Sequence, residues 1–224
     1  MPRTKRVQPG GYVFHVLNRG NARMQIFEDD TDYAAFEKAM LESAECLDMR
    51  LLAYAIMPNH WHLVLRPYED GDLGRYMHRL TTTHVRRWHQ YHNSVGRGHL
   101  YQGAYKSFPV QTEKHFLILC RYVEQNALRA RLVNKAENWQ WSSLWRRLHP
   151  NLIDNLPPLS RWPIAEPRTW LNMVNRQQRM AEVESIQNSI QRGRPFGSET
   201  WQKRTAKRLN LESTFRLRGR PPGK

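Results

Sequence analysis

The sequence predicts an α+β domain built on an antiparallel sheet, and three observations lead to that class. Strand-like and helix-like stretches alternate in the order β-α-β-β-α-β-α across the first 148 residues. The two middle strands are joined by a tight turn, which makes them a hairpin. A chain of 224 residues with 40% hydrophobic and 11% aromatic content is also long enough to bury one core and carry appendages.

The elements follow in order. YVFHVLNRGN (12–21) alternates weakly and ends in a turn sequence, reading as the first strand. Acidic residues from Glu28 to Asp32 open a helix to about residue 48, with Phe36, Met40 and Ala44 on one stripe. RLLAYAIM (50–57) is the second strand. Pro58 and Asn59 suit the turn, because proline presets φ and asparagine tolerates unusual backbone angles. HWHLVLR (60–66) returns as the third strand. A basic helix over 72–92 places Leu73, Tyr76 and Leu80 on one side, with Arg75, Arg79, Arg86 and Arg87 around it. LYQGAYKSFPV (100–110) reads as the fourth strand and 113–130 as one helix. NWQWSSLWRRL (138–148) supplies an aromatic cap to the core. This order is that of a split βαβ, ferredoxin-like or RRM-like sheet.

Beyond residue 150 the character changes. Prolines at 157, 158, 163 and 167 exclude a long helix there. A helix over about 168–192 and a basic helix starting near Ser198, a good N-cap residue, are expected next. The reading is therefore a domain over 1–150, followed over 151–224 by a proline-containing linker and a basic helical tail.

Charge narrows the function. Thirty-five Lys and Arg against 20 Asp and Glu leave +15, and residues 161–224 hold 14 of the basic residues and 5 of the acidic ones. A surface this basic attracts polyphosphate through counterion release, so nucleic acid is the expected partner. No apolar run approaches a membrane span. The start, MPRTKRVQPGG, lacks the apolar stretch of a signal peptide, and two cysteines form no framework, so a reduced cytoplasm is expected.

Chemistry concentrates at two places. A strand period of two puts His60, His62 and Val64 on one face and Trp61, Leu63 and Leu65 on the other. The apolar trio is the natural core face, leaving the histidines on a more polar one. There they are either two ligands of one ion or ordinary hydrogen-bonded histidines. On the helix over 113–130, Phe116, Leu119, Val123 and Ala127 form the buried stripe, while Tyr122 and Asn126 lie four apart on a neighbouring edge. Two imidazoles and one amide oxygen can hold a divalent ion with positions left open for phosphate oxygens.

A His-x-His strand followed about 60 residues later by Tyr-x-x-x-Asn resembles the single-tyrosine transposases of the HUH endonuclease superfamily. MPNHWHLVL, YQGAYKSFPV, CRYVEQNALRARLV and NWQWSSL together resemble the repetitive-extragenic-palindrome (REP)-associated tyrosine transposases of bacteria, over roughly residues 10–148. The resemblance implies an HUH fold over 1–150, with Mg²⁺ or Mn²⁺ held by His60 and His62. It makes Tyr122 the nucleophile and Asn126 the third ligand, where insertion-sequence relatives often carry glutamine. Ala127-Leu128 departs from the Asn-Pro-Val common in relatives. The implied reaction nicks single-stranded DNA hairpins at palindromic repeats through a 5′-phosphotyrosine and rejoins them without ATP, as a monomer or homodimer associated with the nucleoid.

Arg121 and Arg129 flank the tyrosine in sequence and are assigned to phosphate binding. Arg75, Arg79, Arg86, Arg87 and Lys106 are further DNA-binding candidates, and Tyr101 and Tyr105 are candidates for base stacking. Arg218 and Arg220, in an Arg-Gly-Arg-Pro sequence, resemble a minor-groove-inserting element. The alternatives are a hairpin-binding regulator that keeps the fold without using the nucleophile, and a structural zinc protein.

Overall fold

The computed structural model describes residues 7–152 and 156–216. Four strands form its sheet: β1 (Val13–Arg19), β2 (Met49–Met57), β3 (His60–Pro67) and β4 (Lys106–Val110), in the order β2-β3-β1-β4. All neighbours are antiparallel. Helix α1 (Asp30–Cys46) links β1 to β2, and α2 (Asp72–Tyr91) links β3 to β4. This is the split βαβ arrangement expected from the element order.

One sheet face meets α1 and α2. Phe14, Val16, Leu51, Tyr54, Ile56, Trp61, Leu63 and Leu65 bury against Phe36, Met40, Leu73, Tyr76 and Leu80. Asp29 starts α1 by accepting the backbone N–H of Thr31 at 2.9 Å and of Asp32 at 3.1 Å, which satisfies two of the otherwise orphaned donors. Trp139 and Trp141 pack on this core as the aromatic cap, and Tyr33 stacks on Trp141 with centroids 4.8 Å apart.

The other face differs from the sequence reading. Both faces of β3 are buried, because α3 (Lys114–Glu124), α4 (Asn126–Arg129) and later segments cover the side that carries His62 and Val64. Val13, Ala53, Ala55, Val64, Phe108 and Val110 meet Phe116, Leu119 and Val123 from α3. Residues 156–216, expected as linker and tail, add Trp162, Trp170, Val174, Val183, Ile186 and Phe196 to the same core. Phe196 joins the sheet edge through a parallel bridge to Val110.

Three predicted elements are shorter or split. The fourth strand begins at Lys106 rather than residue 100, since Tyr101 is held elsewhere: its hydroxyl accepts the Trp61 indole N–H at 2.9 Å and lies 2.6 Å from His84 Nδ1. The helix over 168–192 is two, α6 (Trp170–Asn175) and α7 (Met180–Arg192). Between them, backbone carbonyls turn to side-chain donors: Arg121 Nη2 lies 2.7 Å from the Arg176 carbonyl and 3.2 Å from that of Gln177. The helix over 113–130 is likewise divided at Gln125 into α3 and α4. Two further helices, α5 (Ser143–Leu148) and α8 (Glu199–Arg208), complete the fold, with Ser198 at the N-cap position of α8.

Candidate active site

Antiparallel register decides which side chains share a face with the histidines. His62 lies opposite Leu17 on β1 and Ala55 on β2, His60 lies opposite Arg19 and Met57, and Val64 lies opposite His15. Directly opposed residues point to the same side of a sheet. His15, Leu17 and Arg19 therefore line the histidine face, and Lys106, paired with Leu17 from β4, lies in the row of His62.

The two histidine rings are perpendicular, with centroids 5.0 Å apart. Each has its Nδ1 engaged. His60 Nδ1 lies 2.6 Å from Asn59 Oδ1, and the Asn59 amide nitrogen donates to the Arg23 carbonyl at 3.3 Å, which orients the carboxamide with its oxygen toward the ring. His60 is thus protonated on Nδ1 and keeps a lone pair on Nε2. His62 Nδ1 lies 2.8 Å from His15 Nε2. His62 is 3% exposed and His15 is fully buried.

Tyr122 stands across from this pair, its ring 5.9 Å from that of His62 and perpendicular to it. The guanidinium carbon of Arg129 sits 4.1 Å from the centroid of the Tyr122 ring, and its Nη2 donates to the Tyr122 carbonyl at 3.2 Å. Among the described residues, the buried Arg129 Nη1 finds no hydrogen-bond partner, nor does the side-chain nitrogen of Asn126. Asn126 opens α4 and is 7% exposed. Tyr122 and Asn126 are therefore buried beside the apolar stripe.

Electrostatics follow from this burial. Burial pushes the His60 imidazole down to about 4, helped by Arg19 and Arg129. Burial also holds His62 well below its ordinary value, and the neighbouring His15, His60, Arg129 and Arg19 add to it. Both rings are neutral near pH 7, the state in which imidazole binds metal. The Tyr122 phenol is raised by burial, while Arg129 and Arg19 act in the opposite direction.

The family model described as IS200-like transposase matches residues 11–126, more than half of the chain. The chain belongs to this family. A solved structure of a REP-associated tyrosine transposase bound to a REP hairpin matches with a TM-score of 0.55 at 17% identity, covering 75% of this chain and 98% of that one. At that identity the likeness establishes the fold. A candidate transposase of Deinococcus radiodurans R1 is 18% identical over 56% of this chain and 95% of its own, with a TM-score of 0.40. Among curated proteins, none matches.

The transposase chain brings His60, His62, Tyr122 and Arg129 together. Arg121, on the same helix, points instead to the carbonyls of Arg176 and Gln177. On α2, Arg75 pairs with Asp72 and Arg87 with Glu42, whereas Arg79 and Arg86 are exposed and form no ion pair among the described residues. Arg86 lines an open cavity between α2 and residues 98–105. Tyr101, a candidate for base stacking, is 8% exposed and serves the core, and the Tyr105 hydroxyl lies 3.3 Å from Gln8 Oε1. Arg218 and Arg220 lie outside the described residues.

Two site residues escaped the sequence reading, His15 and Arg19. Their signal is a period of two on β1, which points to the histidines only once the pairing of β1 with β3 is known. Among the described residues, no three His, Cys, Asp or Glu side chains gather as a metal site; Cys46 is exposed and Cys120 is buried within α3. No helix among the described residues is long and apolar enough to cross a membrane.

Proposed function

We propose that this transposase nicks and rejoins single-stranded DNA at hairpins of palindromic repeats, using Tyr122 as nucleophile and a divalent ion, Mg²⁺ or Mn²⁺, at His60 and His62. The carrying observation is that the Tyr122 ring neighbours both the Arg129 guanidinium, at 4.1 Å, and the His62 ring, at 5.9 Å. The donor set fits such an ion: two imidazoles held neutral by burial, each with Nδ1 engaged, keep Nε2 for a metal. Asn126 would add an amide oxygen. The ion, when bound, polarises the scissile phosphate and spreads its developing charge.

The chain's own residues account for the rest. The Tyr122 oxygen attacks phosphorus and the bond to the departing 3′-oxygen breaks, leaving a 5′-phosphotyrosine and a 3′-hydroxyl. The phenolic proton leaves to water as the P–O bond forms, and the departing 3′-oxygen takes one up from water, so the step is balanced in protons. Arg129 and Arg19 favour the phenolate that burial opposes. The buried Arg129 Nη1 has a donor to spare for a phosphate oxygen. Since the phosphodiester energy is kept in the tyrosine ester, the reverse attack rejoins the strand without ATP. Arg79, Arg86 and Lys106 offer exposed charge to the DNA backbone.

The burial of Tyr122, 6% exposed, favours a second reading, a hairpin-binding regulator that leaves the nucleophile unused. One experiment separates the two. Labelled single-stranded hairpin DNA is incubated with Mg²⁺ or Mn²⁺ and either the wild type or Tyr122→Phe, then resolved on denaturing gels. A covalent adduct with wild type alone is expected. Tight binding with no nick under either metal establishes the regulator, and an adduct that survives in Tyr122→Phe assigns another nucleophile.

A further inference from the structure

His15 is a fully buried polar side chain that touches the histidine pair and has no role in the reaction described above. Its Nε2 lies 2.8 Å from His62 Nδ1. The two rings are nearly parallel, 6° apart, with centroids separated by 5.0 Å. That separation is what a 2.8 Å N···N approach leaves when two imidazoles meet edge to edge in one plane. The pair is therefore joined by a near-linear hydrogen bond rather than by a face-to-face stack. Phe108 abuts the ring of His15 at 5.0 Å and 67°, fixing it from the β4 side.

We propose that His15 is a positioning residue for the metal ligand His62: it accepts the Nδ1 proton of His62 and so directs the Nε2 lone pair of His62 toward the ion. The proposal rests on the metal-dependent reading above. Its logic is a count of protons. Two ring nitrogens that meet at 2.8 Å on a near-linear approach hold one proton between them, since two would clash and none would set lone pair against lone pair. If that proton sat on His15, His62 would carry its own on Nε2 and could not ligate. With the proton on His62 Nδ1, Nε2 is free, the ring is fixed in orientation, and its basicity as a ligand rises. His60 is served in the same way by Asn59 Oδ1 at 2.6 Å. His15 is thus to His62 what Asn59 is to His60. It is not a third ligand, since its Nε2 is spent on the hydrogen bond and the three histidines do not gather on one point.

The test measures Mn²⁺ binding to the full chain by electron paramagnetic resonance, without DNA, in wild type, His15→Leu and His15→Gln. Leucine keeps bulk but accepts no proton, and the glutamine carboxamide oxygen reaches about as far as Nε2. The expected result is a loss of about 10–100-fold in Mn²⁺ affinity for His15→Leu, restored to within a few-fold by His15→Gln. Adduct formation by His15→Leu should recover at high Mn²⁺, and hairpin affinity in chelator should equal that of wild type. Unchanged Mn²⁺ affinity in a folded His15→Leu overturns the proposal. Should leucine unfold the chain, ring-nitrogen NMR of the wild type with saturating Mg²⁺ decides: a proton on His62 Nδ1 is expected, and one on Nε2 overturns it. A wild type that binds no ion at the pair removes the metal reading itself, a result distinct from loss of the His15 role alone.

Discussion

Arg129 offers the sharpest test of how a buried phenol is made reactive. Its guanidinium carbon lies 4.1 Å from the Tyr122 ring centroid, over which phenolate charge is partly delocalised. Unit charges at about 4 Å interact by about 4 kcal/mol at an effective dielectric of ~20. If about half of that charge has developed in the transition state, Arg129→Gln forfeits about 2 kcal/mol, or about 30-fold in rate. The sign with pH is fixed as well. Burial raises the Tyr122 pKa and Arg129 opposes it, so removing the arginine shifts the rising limb of the pH–rate profile to higher pH. Single-turnover adduct formation, with protein saturating and hairpin affinity measured separately, isolates the chemical step. Arg129→Lys should recover part of the rate, because it keeps the charge but not the planar fork. A rate for Arg129→Gln within about threefold of wild type, with an unmoved pH profile, would refute the reasoning.

Two further outcomes follow from the surface and the core. Replacing the unpaired Arg79 and Arg86 by glutamine should reduce the salt dependence of hairpin binding, by about one unit of log–log slope for each DNA phosphate no longer neutralised; the internally paired Arg75 and Arg87 should matter less in the same titration. His84, buried and held at about 3 by desolvation and His92, takes up a proton in the unfolded chain near pH 6.5 but not in the folded one. Its contribution is complete above pH ~6.5 and lost as pH falls towards ~3, so going from pH 7 to 5 should cost about 2 kcal/mol more in wild type than in His84→Asn, read from urea unfolding.

Local pattern and spacing made much of this molecule legible. The hairpin between β2 and β3 and the apolar stripe of α3 are both short-range features. The polar face assigned to His60 and His62 was not, because what covers a sheet face is decided by segments far along the chain, here α3 and residues 162–196. Likewise Tyr101 looked like a strand residue until its hydroxyl met Trp61 and His84. His15 and Arg19 illustrate the general limit. Their spacing on β1 is visible in the sequence, but cross-strand register, which makes them neighbours of the histidines, is a tertiary fact.

The residues flanking Tyr122 tie its helix to the later part of the chain. Arg121 and Gln125, which bracket Tyr122 in sequence, both reach to the backbone at the end of α6 and just beyond it. The Gln125 amide nitrogen donates to the Val174 carbonyl at 2.6 Å and also to that of Arg176, the residue whose carbonyl takes Arg121 as well. Those carbonyls are left over where α6 ends, so the side chains of α3 complete the later segment while that segment holds α3 in place. Gln125→Leu preserves bulk but strands the Val174 carbonyl, while Arg121 still serves that of Arg176. The expected loss is thus about 1–3 kcal/mol in urea unfolding, the cost of one buried acceptor left unmade. Slower adduct formation should accompany it, because Tyr122 then sits on a helix with one fewer anchor. Unchanged stability with an unchanged rate would mean that residues 170–192 merely cover the sheet; a loss in both would make them part of the scaffold that aims the tyrosine.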